Sequence, residues 1–336
     1  MNWKWWNRFT KLFRPRVTTL VGIDFSQGAV RVAEISRSGD VPYLRNLAMV
    51  PVPTAASLNS LEETEEPEPA MNMAALKETL AKALAVSGIR SKYAVLAVDG
   101  LHSFMREITF PRLLPEELAE AIKWDIPKYV PYEAESYEFD YVVTGQEAET
   151  GDLRVLIVAA PKAIVKELGE IVKEAGLIPL AVDIEAMAVY RTMNSAENSL
   201  VLDIGTVHTQ ITLYQEGNPV FNRVVQGGCP VGTADQEAAM GNLDAMLTEL
   251  AQEVQRTVQF FTQQHKRVVI DKIIVTGAKE LEQIVSLLKM KVDLPVTGHN
   301  PLAGLALHPS IAAAYVQDVG PQFAVAVGLA MREDEL

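Results

Sequence analysis

Two aspartates stand at the ends of apolar, strand-like segments, and each is followed by a turn of small and polar residues. Asp24 ends the segment LVGID and continues into FSQG, whereas Asp203 ends LVLD and continues into IGT. Small residues let backbone N–H groups approach phosphate oxygens, and a strand-end carboxylate can hold Mg²⁺ directly or through water. A third turn, VTGA around Gly277, has the same character. Together the three turns predict a cleft that grips a nucleotide from both sides.

The alternative interpretation is a set of ordinary hairpin turns with solvated aspartates, because a single turn of this kind is common. An internal echo favours the cleft. TTLVGIDFSQGAVRVAEISRSGDVPYLRN and NSLVLDIGTVHTQITLYQEGNPVFNRV both run from an apolar strand through a turn into an alternating strand. Each then turns on a Gly and continues past a Pro. The repeat lies about half a chain length away, which predicts two related lobes.

The remaining elements must hold these turns in place, and hydrophobic periodicity locates them. Period-3.6 patterns bounded by Pro, Ser-Gly or Gly predict helices, and short apolar or alternating runs predict strands. The predicted helices span 72–86, 114–124, 161–176, 243–264, 281–289 and 321–331. The predicted strands after the first echo span 93–98, 137–143, 154–160 and 273–275. This mixture predicts an α/β protein.

Composition excludes several classes of function. The chain has 336 residues, 49% hydrophobic and 22% charged, which fits two domains or one large two-lobed domain. A net charge of −13 disfavours nucleic-acid binding, because polyanions are captured by clustered positive charge. The single cysteine, Cys229, excludes an intramolecular disulfide framework and a multi-cysteine zinc site. No apolar run approaches the roughly 18 residues that a membrane span requires.

The first 16 residues, MNWKWWNRFTKLFRPR, contrast with the rest of the chain. They contain five basic residues and no acid, so the remainder carries a net charge of −18. On a helix, Trp5, Trp6, Phe9, Leu12 and Phe13 would fall within an arc of about 120°, opposite Lys4, Arg8 and Lys11. This pattern predicts a helix in the headgroup region of an anionic membrane. Docking on a partner protein and a disordered tail are the alternatives.

Longer stretches carry a family resemblance over residues 17–331. They are VGIDFSQGAVRVAEI, IRSKYAVLAVDG, LPEELAEAIKWDIPKYVPYEAESYEFDYVV, LIVAAPKAIVKELGEIVKEAGLIPLAVDIEAMAVYR, VLDIGTVHTQITL, QEVQRTVQFF, IIVTGA, NPLAG and AVAVGLAMR. On them the sequence resembles the actin-like ATPase superfamily and, within it, the PilM family of type IV pilus assembly proteins, relatives of the cell-division protein FtsA. The third and fourth stretches point to PilM, because actin-like kinases do not share them.

The resemblance implies a site for ATP or ADP with Mg²⁺. Asp24 and Asp203 would flank the metal, and Glu185 would position a water molecule. The implied phosphate contacts are Ser26, Gln27, Gly28, Arg31, Gly205, Thr206 and Thr209; the implied ribose and adenine contacts are Gly227, Gly228, Glu253, Arg256, Gly277 and Ala278. Ser26 and Ala278 replace family glycines, and their Cβ atoms weaken the expectation of efficient catalysis. The resemblance therefore implies at most a slow ATPase.

The resemblance also implies the domain plan. Residues 1–16 form the basic tail, 17–195 lobe 1 with an inserted subdomain at about 101–178, 196–331 lobe 2, and 332–336 an acidic tail. The implied fold is a two-lobed actin-like ATPase with an inserted subdomain of the type found in FtsA and PilM. Such subdomains mediate protein contacts.

The implied function is that of a cytoplasmic, nucleotide-binding assembly protein at the inner face of the cytoplasmic membrane. It would bind the cytoplasmic N-terminal peptide of PilN in a groove between lobe 1 and the insert, beside other inner-membrane platform proteins. ATP–Mg²⁺ would act chiefly as a conformational ligand. The anionic membrane surface would bind residues 1–16, and nucleic acid is not an expected partner. An FtsA-like tether of membrane and filament and a small-molecule kinase of the same superfamily are the alternatives.

Overall fold

The structure is a computed structural model of the full chain. It describes residues 17–26, 28–37, 41–53, 72–193, 197–229, 236–264 and 269–332. The predicted tail 1–16, Gln27 and most of the predicted tail 332–336 lie outside these ranges.

The strands form three sheets. In chain order they are β1 Thr19–Ser26, β2 Ala29–Ser36, β3 Tyr43–Pro51, β4 Tyr93–Val98, β5 Phe104–Phe110, β6 Tyr137–Gln146, β7 Leu153–Pro161, β8 Ile178–Ile184, β9 Ser199–Ile204, β10 His208–Gln215, β11 Asn218–Gln226, β12 Lys272–Thr276, β13 Val296–Gly298 and β14 Ala306–Leu307. The six-stranded sheet has the order β14-β3-β2-β1-β4-β8, the five-stranded sheet β11-β10-β9-β12-β13, and the three-stranded sheet β5-β7-β6.

The two similar sequence segments also have the same strand topology. β1 pairs antiparallel with β2 and parallel with β4, and β9 pairs antiparallel with β10 and parallel with β12. In each sheet the next strand, β3 or β11, extends the antiparallel side. Because parallel partners run in the same direction, the carboxyl ends of β1 and β4 lie at one edge of the six-stranded sheet, and those of β9 and β12 lie at one edge of the five-stranded sheet.

The described helices cover the sheets. They are α1 Met73–Ser87, α2 Pro115–Asp125, α3 Lys162–Glu174, α4 Glu185–Thr192, α5 Gln236–Gln264, α6 Leu281–Lys289, α7 Ala313–Val319 and α8 Ala324–Ala330. Between β5 and α3 the order is strand, helix, strand, strand, helix. α5 begins before the predicted 243. The predicted helix 321–331 is instead a 3₁₀ turn, Gly320–Phe323, followed by α8. The domain boundaries themselves stay predictions.

Helix α8 lies at the centre of the core. Its residues are buried throughout, and they pack on β1, β2 and α4. The approach to β1 is so close that a Cβ built on Gly22 would lie 1.8 Å from the Ala326 carbonyl oxygen. A Cβ on Gly328 would lie 1.8 Å from the Ala188 carbonyl oxygen. These contacts bring the 3₁₀ turn before α8 to the cleft described next.

Candidate functional site

A cleft of about 630 Å³, including its open mouth, lies where the carboxyl ends of β1, β4, β8, β9 and β12 converge. Ligands of open α/β sheets bind at such carboxyl ends. The lining residues are Asp24, Ser26, Arg31, Asp99, Gly100, Leu101, Glu185, Asp203, Gly205, Thr206, Val207, His208, Gln210, Val224, Gly277, Gln322 and Val325. The two aspartate turns and the third turn of the sequence thus face one cavity.

The first wall is a buried group of three side chains at the end of β1. Arg31 on β2 lies 3.4 Å from Asp24 and donates a hydrogen bond to the Ser26 hydroxyl. The Ser26 hydroxyl also lies 3.2 Å from the Asp24 carboxylate. Antiparallel pairing of β1 with β2 places Asp24 directly opposite Arg31. The guanidinium therefore sits at the cleft as a fixed positive charge suited to a phosphate.

Besides Asp24, the carboxyl groups of Asp99, Glu185 and Asp203 line the cleft and make it strongly acidic. Burial, with the charge of Asp24, raises the pKa of Asp203 to about 7. Burial, followed by the charges of the neighbouring aspartates, raises the pKa of Glu185 well above its usual value. The Gly100 N–H donates to Glu185 over 2.9 Å and partly opposes that rise. Burial also outweighs Arg31 and raises the pKa of Asp24. Such mutual elevation is typical of a site that binds a cation.

Several buried polar atoms at the cleft have no hydrogen-bond partner among the described residues. They are Asp24 Oδ1, Asp99 Oδ2, Arg31 Nε, Gln210 Oε1 and Gln322 Oε1. A buried polar atom without a partner costs about 1–3 kcal/mol, so such atoms are rare. Their concentration in one cavity fits a charged ligand that has both hydrogen-bond donors and acceptors. A nucleotide with a bound metal ion is such a ligand.

The described residues contain no group of three or more His, Cys, Asp or Glu side chains arranged to hold a metal ion unaided. Mg²⁺ commonly takes one or two carboxylates and completes its shell with substrate phosphates and water. Asp24 and Asp203 fit that mode. They lie at corresponding strand ends of the two sheets and both line the cavity.

Two glycines set the width of the cleft. A Cβ built on Gly28 would lie 2.2 Å from Thr206 Oγ1, so the two aspartate turns touch each other. Gly277 has φ +87, and a Cβ there would lie 2.3 Å from Asp203 Oδ1. Only glycine adopts this conformation at this distance without strain. Both positions need a bare backbone.

Comparison with known proteins identifies the family. A model of the family described as type IV pilus assembly protein PilM matches residues 22–235 and 231–334. The chain belongs to the PilM family. A solved structure titled "PilM-PilN type IV pilus biogenesis complex" is 25% identical, with a TM-score of 0.76 over 94% of this chain and 98% of the other. The ethanolamine utilization protein EutJ from Carboxydothermus hydrogenoformans is 12% identical, with a TM-score of 0.50 over 95% and 90% of the two chains.

These similarities confirm the predicted α/β, two-lobed actin-like ATPase fold of a PilM family member. They also confirm that the protein is a type IV pilus assembly protein of that family. Among the helices that the structure describes, none combines the length and apolar character needed to cross a bilayer.

The structure places the predicted site residues of this PilM family member in two groups. Those that line the cleft are Asp24, Ser26, Arg31, Glu185, Asp203, Gly205, Thr206 and Gly277. Thr209 does not present its hydroxyl to the cleft, because it is fully buried and donates to the Gly227 carbonyl over 2.7 Å. Gly228 packs behind the second turn. A Cβ built on it would lie 2.5 Å from the Gly205 carbonyl oxygen. These residues shape the turn from behind.

The predicted adenosine contacts on α5 lie outside the cleft. On α5, Glu253 pairs with Arg223 at 3.1 Å and with Arg256 at 2.9 Å, and Arg256 is 61% exposed. Neither α5 residue lines the described cavity. Ala278 is buried in the core beneath the five-stranded sheet, so its Cβ faces that core. The Ser26 Cβ carries a hydroxyl that is already engaged by Asp24 and Arg31.

Asp99, Gln210 and Gln322 line the cleft but are not predicted from the sequence. Asp99 follows the buried strand β4 and is itself followed by Gly100, which is the same strand-end pattern that identified Asp24. That signal could have been used. Gln210 and Gln322 carry no such signal, because one lies inside an alternating strand and the other in a 3₁₀ turn. Only the fold brings their side chains to the cleft.

Proposed function

We propose that this protein is a nucleotide-binding component of the type IV pilus assembly platform at the cytoplasmic face of the membrane, and that it binds the N-terminal segment of PilN. The observation that carries the nucleotide half is the concentration of unpartnered buried polar atoms at the carboxyl ends of two matched sheets. The similarity to the PilM–PilN complex supports the partner half.

Within the cleft, Asp24 and Asp203 would hold Mg²⁺ with ATP or ADP, and Arg31 would contact a phosphate. The turns at Ser26, Gly28 and Gly205 would offer backbone N–H groups, as small-residue turns do. Bound Mg²⁺ would supply the positive charge that keeps the buried carboxylates ionised. Without it, their raised pKa values favour the protonated forms.

Glu185 is the residue placed to orient a water molecule, but its burial disfavours the ionised form that a general base needs. Burial raises its pKa, and one carboxylate oxygen already accepts the Gly100 N–H. A raised pKa increases the protonated fraction of a carboxyl group, and only the deprotonated fraction can accept a proton from water. We infer slow turnover, with the nucleotide acting as a ligand that biases lobe closure.

The partner segment would bind in a groove of about 490 Å³ between α1 and α3. This groove lies at the junction of lobe 1 and the predicted insert. Its walls are Met73, Ala74, Lys77, Glu167, Glu170, Ile171 and Glu174. Three glutamates spaced 3 and 4 residues apart fall on one face of α3, above the apolar Ile171. A short peptide with basic and apolar side chains complements such a groove.

Reversing two charges in the groove should weaken partner binding. We expect Glu167→Lys with Glu170→Lys to lower the affinity for an N-terminal PilN peptide at least tenfold, because each site would repel a basic side chain. Isothermal titration calorimetry measures the affinity. The matched control is Glu116→Lys with Glu120→Lys on α2, where both glutamates are also exposed. Equal weakening by both variants would place the peptide elsewhere.

The linker that enters the insert is itself part of the cleft wall, which gives nucleotide and peptide a physical connection. The Gly100 N–H binds Glu185, and Asp99 lies 2.6 Å from His102 Nδ1. The Tyr132 hydroxyl, within the insert, donates to the His102 carbonyl over 3.3 Å. A ligand that changes the charge around Glu185 and Asp99 therefore acts on the segment that positions the insert.

Calorimetric titration with ATP–Mg²⁺ and with the PilN peptide, first separately and then together, tests the whole proposal. We expect binding of each, and a change in peptide affinity when nucleotide is present, because binding couplings are reciprocal. The absence of a binding signal for both ligands would overturn the proposal. Equal peptide affinity with and without nucleotide would remove the coupling only. The basic tail 1–16 would add attachment to anionic lipid.

A further inference from the structure

One end of the six-stranded sheet carries a cluster of cations that the function proposed above does not use. We call it the basic face and define it by Arg37, Arg45, Arg90 and Lys92. It lies where β1, β4 and β8 begin, opposite the strand ends that form the cleft. We propose that the basic face docks on an anionic lipid surface beside the tail, and so fixes the orientation of the folded body on the membrane.

Hydrogen bonds show that these cations surround the start of β1. The Arg37 N–H donates to the Thr18 carbonyl over 2.7 Å, and the Ser91 hydroxyl, between Arg90 and Lys92, donates to the Thr19 carbonyl over 2.9 Å. On the other side, the Asn46 amide next to Arg45 contacts the Gly88 carbonyl at 3.4 Å. The four residues therefore lie at the same end of the neighbouring strands β3, β2, β1 and β4.

Three of the four cations of this face are exposed to solvent. Arg45, Arg90 and Lys92 are exposed and form no ion pair with another residue among those that the structure describes. The acid packed beneath them, Glu34, is 2% exposed, and its carboxylate accepts the backbone N–H groups of Arg90 and Ser91. Among the described residues, the face thus presents these cations to solvent, while the Glu34 carboxylate is turned inward.

Exposed aliphatic side chains accompany the cations. Val86 is 71% exposed, Val41 53% and Ile178 47%. All three adjoin the same strand ends, because Val86 precedes Gly88, Val41 precedes β3, and the Ile178 N–H donates to the Lys92 carbonyl. Aliphatic side chains among cations match the headgroup region of an anionic bilayer. There the cations attract anionic headgroups, and the aliphatic side chains lose contact with water.

The position of the tail decides the occupant. β1 is already hydrogen-bonded at Thr18 and Thr19, and the tail's last cations, Arg14 and Arg16, precede Val17. At about 3.5 Å per residue, Arg16 lies within roughly 10 Å of Thr18, which is about one Debye length at physiological salt. If the tail lies on a membrane, as proposed above, the start of β1 is held near that membrane, and the basic face is the part of the body beside it.

This arrangement refines the expectation from net charge. The chain after residue 16 carries a net charge of −18, which by itself predicts repulsion from anionic lipid. Repulsion depends on distance, however, and the basic face would be the part of the body nearest the headgroups. The nucleotide cleft, at the opposite strand ends, would then face away from the membrane.

Vesicle flotation with the full chain tests the inference. The variant Arg45→Gln, Arg90→Gln, Lys92→Gln is compared with the wild-type chain on vesicles of equal parts phosphatidylcholine and phosphatidylglycerol in low salt. We expect at least tenfold weaker partitioning of the variant, and no difference between the two proteins on pure phosphatidylcholine. The side chains replaced make no described ion pair, so the folded structure should persist; the thermal unfolding midpoint checks this.

A second triple variant controls for the loss of net charge. Arg112→Gln, Lys123→Gln, Lys289→Gln removes three exposed cations elsewhere on the body, and we expect it to bind within about twofold of wild type. Equal binding by the wild type and the basic-face variant would overturn the inference while leaving the tail's role intact. Equal weakening by both triple variants would also overturn it. If the wild type does not bind these vesicles, both the inference and the tail's membrane role fail, whereas peptide and nucleotide binding are unaffected.

Discussion

Replacing Asp203 by asparagine is expected to abolish nucleotide–Mg²⁺ binding and, at the same time, to stabilise the ligand-free protein. If Asp203 holds Mg²⁺ as proposed, loss of its carboxylate should lower affinity for ATP–Mg²⁺ at least about 100-fold. The opposite effect on stability follows from burial, which raises the pKa of Asp203 from 3.8 to about 7. Calorimetric titration measures the first effect, and urea unfolding in EDTA measures the second.

The sign of the stability effect follows from proton linkage. Between pH 3.8 and about 7 the folded state holds a proton at Asp203 that the unfolded state has released, so stability falls as pH rises through this window. Above pH 7 the full penalty applies, on the order of 4 kcal/mol at 1.4 kcal/mol per pKa unit. The asparagine side chain of the variant carries no charge at any of these pH values. At pH 8 the variant should therefore unfold at higher urea than the wild type, and near pH 4 the two should converge.

Two comparisons make this prediction specific. Asp293→Asn, which replaces an exposed aspartate outside the cleft, should leave nucleotide binding unchanged. Saturating ATP–Mg²⁺ should stabilise the wild type and leave the Asp203 variant unchanged. At pH 8 the wild type should then unfold at higher urea than the variant. A variant that is less stable than the wild type at pH 8 without ligand would show that the Asp203 carboxylate is not strained by burial.

The second large effect concerns packing behind the site. We expect Gly22→Ala to destabilise the protein by about 3 kcal/mol or more, because the new Cβ would lie 1.8 Å from the Ala326 carbonyl oxygen and 2.7 Å from the Ala330 nitrogen. Both obstacles are backbone atoms and cannot rotate away. Helix α8 would have to move off β1, and Val325, which lines the cleft, would move with it. Nucleotide affinity should therefore fall as well.

The matched control is Gly169→Ala on α3, where nothing lies within 4 Å of the built Cβ. Because alanine favours a helix interior over glycine by about 0.5–1 kcal/mol, this variant should be slightly more stable than the wild type. Urea unfolding midpoints measure both variants. Similar midpoints for the two would show that α8 tolerates displacement and that the contact at Gly22 is not a constraint.

Much of the site could be predicted because its signals are local. The apolar strand before Asp24, the small turn after it and the repeat around Asp203 are all short stretches of chain. Turn chemistry and alternation operate over such stretches, so they can be recognised without a fold. The same reasoning located α6 within its correct bounds and failed at the start of α8, where packing of the 3₁₀ turn overrides the helical pattern.

The sequence by itself determined which residues could bind phosphate and metal, that two similar halves carry them, and that one terminus is basic. Only the tertiary structure decided that Asp99, Gln210 and Gln322 join the cleft, that Thr209 supports the turn from behind, and that Arg45, Arg90 and Lys92 share one face. The physical reason is that burial and the proximity of charges depend on which strands become neighbours. The pKa of Asp203 and the position of the basic face are therefore properties of the sheets.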